Sequence, residues 1–270
     1  MANSKTLVCV HAHPDDEAIF TAGISSHYAA VGYDVVLVTC TNGRLGFDAQ
    51  HRAGDVSQHD ELETISTRSS ELQRSAALVG FSRIVTLGFD DSGMVGWPQN
   101  KNPRAFMNCD VDRVARTLAA LFDEVGAMVV VTYDENGFYG HPDHIMANVV
   151  TQRALAFAHS PQRLYYPVVP QGAIQNFVVR AQQQGFTLPA FILEADFGIP
   201  DDLLATTMDV NAYVDVKQAA LRTHSSQSDN ADLIAMEPDL FALMFGTEWF
   251  QRAWSRHEAT DDATDLFGGL

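Results

Sequence analysis

Four short apolar runs, each followed by a stretch with helical spacing, constrain this chain more than any other feature. Thr6 to Val10, Asp34 to Thr41, Arg83 to Leu87 and Ala127 to Thr132 are rich in β-branched residues and read as strands. Glu17 to Val31, Glu61 to Val79, Asp110 to Val125 and Asp143 to Ala158 read as helices. In the first of them Ile19, Phe20, Ile24 and Tyr28 share one face, and Gly32 and Gly80 stand where a helix needs a left-handed cap. Strands alternating with helices at these intervals predict right-handed crossovers. The expected fold is therefore α/β, a doubly wound, mostly parallel sheet with helices on both faces, Rossmann-like in plan.

After Pro161 the pattern weakens. Arg163 to Val169 and Ala205 to Val210 are strand-like, whereas Gln171 to Gln184, Asn211 to Ser225 and Pro238 to Trp254 are helix-like, so this part is expected to be α+β. The expected organisation is a core over 1–160, a completion of the same domain over 161–258, and an acidic tail over 259–270. Glu258, Asp261, Asp262 and Asp265 follow the last basic residue, Arg256, and the tail is expected to fray.

Bulk composition narrows the class of partner. The chain has 270 residues, 46% of them hydrophobic, which is ample for one large core. Thirty-four acidic against 17 basic residues give a formal net charge of -17, a balance that repels phosphate backbones and anionic lipid. Nucleic acid and membrane are thus not expected as partners; association with further copies of the chain is left open. Cys9, Cys40 and Cys109 are too few for a disulfide framework and lack metal-knuckle spacing, which fits a reducing cytoplasm. No basic and apolar leader precedes Thr6, and no apolar run reaches the span of a bilayer.

Two nearly identical runs carry the chemistry. His13-Pro14-Asp15-Asp16 follows the first strand and His141-Pro142-Asp143-His144 follows the fourth, and each opens a helix. In a parallel sheet the carboxyl ends of the strands share one edge, so both runs can reach one crevice. Imidazole with carboxylate is a ligand set for zinc and similar divalent ions, and prolines stiffen the turns that carry it. A single Asp after a strand is more often a helix cap. Three carboxylates, three histidines and two prolines at two strand ends exceed what capping requires. His11 alternates along its strand toward His13 and is a rival ligand.

The runs His13 to Glu17 and Gly140 to His144, with His224-Ser225-Ser226-Gln227 inside Lys217 to Gln227, resemble the signature of the PIG-L/LmbE family of metal-dependent de-N-acetylases. Arg68 to Glu71, Gly80, Leu87-Gly88 and Asp90 to Gly93 extend the resemblance, which is clearest before residue 150. Asp91 to Met94 and Pro103 to Phe106 further resemble the branch holding the glucosaminyl-inositol deacetylase of mycothiol synthesis and the mycothiol S-conjugate amidase. The resemblance implies zinc, or another divalent ion such as Fe2+, on His13, Asp16 and His144, with Asp15 as catalytic base. It implies His141 as acid or electrostatic partner and Tyr139 near the substrate carbonyl. The substrate would be a small amino sugar losing its acetyl group. An amidase cleaving a larger thiol conjugate is the alternative, and a non-catalytic sugar- or nucleotide-binding module a further one, although no G-x-G-x-x-G follows the first strand.

Other residues remain open at this level. Asp143 fits a supporting role, His141 could equally be a turn residue, and Tyr139 could simply pack. Arg68 and Asp91 are candidates for sugar hydroxyls, with an Arg68 to Glu71 ion pair on a solvated helix face as the alternative. His224 and Gln227, three apart, would share a helix face bordering the pocket. One departure stands out: Asn42-Gly43-Arg44 places a cation where the family shows a Gly-Glu pair.

Overall fold

The computed structural model of the protein describes residues 5–54, 58–185, 198–257 and 262–270. Seven strands form one sheet: β1 Thr6–His11, β2 Asp34–Thr41, β3 Arg83–Phe89, β4 Ala127–Val131, β5 Arg163–Val168, β6 Thr206–Asp209 and β7 Thr247–Ser255. Their order across the sheet is β3-β2-β1-β4-β5-β7-β6. The first five are parallel neighbours, while β7 pairs antiparallel with both β5 and β6. The principal helices are α1 Asp16–Phe20, α2 Ala22–Ala30, α3 Glu61–Val79, α4 Val111–Val125, α5 Pro142–Leu155, α6 Gln171–Gln183, α7 Val214–Thr223 and α8 Pro238–Phe245.

Strand β1 is buried along its whole length because both faces of the sheet are covered. Val8 and Val10 point into a core shared with Val114, Leu118 and Phe122 of α4 and Ala147 and Val150 of α5. Leu7 and Cys9, on the opposite face, meet Ile24 and Tyr28 of α2 and Phe250 of β7. Each such side chain contributes about 1.5–3 kcal/mol on burial, which is why the continuous apolar runs were readable as interior strands.

Three expectations are corrected. Glu17 to Val31 is two helices, broken at Thr21, whose hydroxyl lies 2.8 Å from His11 Nε2. Pro238 to Trp254 is helical only to Phe245. Gly246 ends the helix, at a spot where a Cβ would meet Asn211 Oδ1 at 2.2 Å, and Thr247 onward becomes the strand that joins β5 to β6. Sheet pairing overrides local helical spacing there.

The acidic tail is not frayed where it is described, 262–270; Glu258 to Asp261 lie outside the described residues. Leu266 and Phe267 are fully buried against Tyr28 and Tyr33, the Leu266 carbonyl accepts from Arg163 at 3.1 Å, and Tyr28 donates to Asp265 at 2.8 Å. Two apolar side chains among carboxylates suffice to dock it. Phe267→Ala is expected to cost about 3–5 kcal/mol, read as a lower urea midpoint at unchanged slope.

Candidate metal and catalytic centre

Strand β1 continues to β2 on one side, and the chain crosses from β3 to β4 on the other side of β1. The crevice of a doubly wound sheet opens where the winding reverses, here between β1 and β4. The loop after β1 carries His13, Asp15 and Asp16. The segment after β4 carries Tyr133, a short helical turn Gly137–Gly140, and His141 to His144. All of the histidines and aspartates in this set are buried or nearly so, and His13, His141 and His144 present nitrogens within 4.8 Å of one another.

Hydrogen bonding fixes what each nitrogen can do. The Nδ1 of His144 lies 3.2 Å from the Gly137 carbonyl and must be the protonated nitrogen. That leaves a lone pair on Nε2, which has no hydrogen-bond partner among the described residues and faces Asp16 Oδ1 at 3.5 Å. His13 Nε2 donates to Asp143 Oδ2 at 3.2 Å, so its Nδ1 lone pair faces Asp16 Oδ2 at 3.4 Å. Acceptors turned toward one another inside a protein require a proton or a cation between them. Without a cation the proton resides on His13: against burial, the charge of Asp91 and the bonds to Asp143 and Asp16 hold its pKa well above the ordinary value. The close packing of the Gly137–Gly140 turn against His144 needs Gly137, at φ 62°, where a Cβ would lie 2.8 Å from that of His144.

His141 differs. Its Nδ1 accepts the Asp143 backbone N–H at 3.1 Å, so the ring hydrogen sits on Nε2 and no lone pair remains for a metal. Burial, with the neighbouring His13 and His144, pulls its pKa down to about 3. His141 is thus a neutral Nε2–H donor, which fits the electrostatic partner rather than the acid of the two roles its place in the motif implies.

Asp15 sits at φ 120°, a left-handed conformation that costs a non-glycine residue on the order of 1–3 kcal/mol. Three neighbours hold it there. Its N–H donates to Glu17 Oε2 at 3.0 Å, Arg68 reaches Oδ1 at 3.1 Å, and Asn230 reaches Oδ2 at 3.0 Å. Burial pushes its carboxyl up to about 6, against the downward pull of Arg68.

Several outer residues are placed differently from expectation. His11 is no ligand, since its nitrogens lie against Thr21 and Tyr133. Arg68 is buried and forms no pair with Glu71; it donates to the Gly43 and Pro14 carbonyls, and Glu71 accepts from Ser226 instead. Gly43, at φ 62°, allows this, because a Cβ there would lie 2.6 Å from Arg68 Nη1. Asp91 turns toward His13 Nε2 at 3.7 Å, and Tyr139, 57% exposed, stands over His144 with ring centroids 5.0 Å apart. Arg44 pairs with Asp90 at 2.8 Å and with Glu61, tying the 42–60 loop to the segment after β3.

Helix α7 stops at Thr223, so His224 and Gln227 share no helix face. His224 is fully buried against Glu17 at 2.7 Å, and Gln227 accepts from the Phe47 N–H at 3.1 Å. Tyr133, Glu17, Asn230 and Ser92, whose N–H and hydroxyl donate to Asp143, are the residues against these side chains to which motif reading gave no role. Tyr133 had a signal, standing just past the end of β4.

The profile of the PIG-L family, described as GlcNAc-PI de-N-acetylase, matches residues 8–155. The chain belongs to the PIG-L family. It is 39% identical over 259 residues to the 1D-myo-inositol 2-acetamido-2-deoxy-alpha-D-glucopyranoside deacetylase of Thermobifida fusca, covering 90% of this chain and 88% of that one. With the like-named enzyme of Saccharomonospora viridis identity is also 39%, over 98% of this chain and all of that one. A solved N,N'-diacetylchitobiose deacetylase from Pyrococcus horikoshii shares the fold, with TM-score 0.60 and 19% identity over 93% of this chain and 84% of that one. A 4-carboxy-2-hydroxymuconate hydratase from Pseudomonas putida shares it nearly as well, with TM-score 0.59 and 18% identity over 94% and 98% of the two chains. Fold alone therefore does not decide the reaction. The family membership and the deacetylase relatives do: this PIG-L protein is an enzyme that hydrolyses amide bonds.

The buried Glu17–His224 pair generates a prediction. Despite burial, each partner holds the other charged, Glu17 below its ordinary 4.5 and His224 above its ordinary 6.5. The carboxylate's share of stability is present above 4.5 and fades as pH falls through its lowered value. The imidazolium's share is complete below 6.5 and fades as pH rises through its raised value. His224→Ala, which leaves Glu17 buried and unpaired, is expected to cost about 3–5 kcal/mol by urea unfolding. That deficit should be largest between about pH 4.5 and 6.5 and shrink on either side.

Proposed function

We propose that this PIG-L enzyme removes the acetyl group from an N-acetylglucosamine-type substrate, most specifically a glucosaminide of inositol like that named for its relatives, using a divalent ion, zinc first. His13 through Nδ1, Asp16 and His144 through Nε2 would hold the ion. The observation that carries this reading is the pair of buried acceptors, His144 Nε2 and Asp16 Oδ1, that face each other at 3.5 Å with no proton available to either from the other. An ion bound there supplies Lewis acidity, lowering the pKa of water from about 15.7 toward roughly 7 and polarising the amide carbonyl.

The side chains supply the rest. Asp15, held in place by Arg68 and Asn230, takes the proton of the attacking water. His141, neutral and protonated on Nε2, donates a hydrogen bond to the oxygen on which negative charge develops, and Tyr139 covers that side of the substrate. The proton taken by Asp15 is then available to the departing amine. Arg68 and Asp91, both buried, act through the groups they hold, Asp15 and His13. The unpaired state of Cys9, Cys40 and Cys109 supports work in a reducing cytoplasm.

The test is release of free amine from the acetylated glucosaminyl-inositol and from N-acetylglucosamine. Asp15→Asn should lower kcat by about 10²–10⁴ with the fold intact. Turnover should fall as pH drops through about 6, because a protonated Asp15 cannot accept the water proton. A chelator should abolish amine release and zinc restore it, whereas His144→Ala should not be restored. Turnover of Asp15→Asn at the parent rate, or amine release indifferent to chelation, would refute the assignment.

A further inference from the structure

We propose that Tyr133 is a positioning residue that sets two of the three proposed metal ligands, Asp16 and His144, across the crevice, its hydroxyl choosing which Asp16 oxygen faces the metal and its ring fixing the plane of His144; this rests on the ligand set proposed above. A carboxylate offers two equivalent oxygens and can exchange them by rotating about one bond. In this protein the two are unequal. Asp16 Oδ2 accepts from the His13 backbone N–H at 2.7 Å and from the Tyr133 hydroxyl at 2.7 Å, and Oδ1 is the one turned to His144 Nε2.

The direction of the Tyr133 bond is not arbitrary. The Ala12 backbone N–H donates to the same hydroxyl at 2.9 Å, and His11 Nδ1 lies 3.3 Å away. With a backbone donor already directed at the oxygen, the one phenolic hydrogen goes to Asp16. The ring of Tyr133 meanwhile stacks on His144, with centroids 4.0 Å apart and planes 18° from parallel, so the imidazole cannot swing its Nε2 out of the crevice. Tyr133 itself is held from behind: its carbonyl accepts from Asn148 Nδ2 at 2.8 Å, and Phe20 packs edge-on against its ring at 5.4 Å. A single side chain at the end of β4 thereby couples the loop after β1 to the segment that carries His144. Neighbours that fix ligand orientation typically carry 10–100-fold in metal affinity.

The experiment measures zinc binding to metal-free folded protein by competition with a chromophoric chelator. Tyr133→Phe, which keeps the ring and removes the hydroxyl, should bind about 10–100-fold more weakly than the unaltered protein. Tyr133→Leu, which also removes the stacked ring, should bind more weakly still. A core residue without a positioning role would lower the melting temperature and leave the affinity of the folded protein unmoved. Unchanged affinity in Tyr133→Phe therefore overturns the hydroxyl's role, and equal affinities in the Phe and Leu variants overturn the ring's. Should His144→Ala bind zinc as tightly as the unaltered protein, the ligand set is wrong and the proposal falls with it; an effect of His144→Ala but none of Tyr133→Phe defeats the proposal alone. Nuclear magnetic resonance of tyrosine-labelled unaltered protein covers the case of variants that do not fold. The Tyr133 hydroxyl proton, shielded from exchange, should shift when zinc is added, and indifference to zinc overturns the proposal.

Discussion

The carboxylate of Asp16, buried between imidazoles that arrive on two separate chain segments, is the contact on which the rest of the structure depends. Burying an ionised carboxylate costs several kcal/mol unless hydrogen bonds and opposite charge offset it. Here the offset comes from a backbone N–H, a phenol and the proton held on His13, and Asp16 is held well below its ordinary pKa despite burial. No single segment could supply all of these. The parallel pairing of β1 with β4 at the reversal of winding brings the two donors of chemistry, residues 13–16 and 133–144, to the same edge.

Around that contact the protein spends conformational strain where it is useful. Asp15 is forced to positive φ beside a strongly buried neighbour, and its restraint comes largely from outside its own loop. Arg68 reaches it from α3 and Asn230 from beyond α7, while Glu17, which takes the Asp15 N–H, is itself anchored by Ser75 and His224. The family profile ends at residue 155, yet residues 224–230 clamp the proposed base. The C-terminal part thus completes the site as well as the sheet. The similarity of fold to a hydratase makes the same point from another side: the doubly wound frame is shared, and the side chains on its carboxyl edge decide the chemistry.

Much of this was legible in the residues alone, for physical reasons that also explain the failures. The interior strands announced themselves because burial on both faces demands unbroken β-branched runs, and α3 because Gly80 closes it; Asp60, Asp110 and Gly126 prove to cap α3 and α4 as well. The two His-Pro-Asp corners were readable because each gathers its titratable side chains into four consecutive residues on a proline-stiffened turn. What depended on distant pairing was not. The stretch Thr247–Ser255 is a strand only because β5 and β6 need a partner, and Leu266 and Phe267 dock only because Tyr28 and Tyr33 wait for them. Tyr133 and Asn230 owe their importance to contacts made across 117 and 215 residues, and His224, singled out as bordering the pocket, finds its partner Glu17 207 residues away. No local periodicity encodes such separations, and the protonation of His141 likewise followed from a backbone N–H that the motif does not reveal.

A crystal grown with zinc and measured across the zinc absorption edge bears most directly on the claim that a divalent ion is gripped where the two corners meet. A single anomalous peak within bonding distance of His13 Nδ1, Asp16 Oδ1 and His144 Nε2, at about 2.0–2.2 Å, is the result predicted here. A peak bound instead through His141 or Asp143, or none between these residues in protein that is fully active, would contradict it.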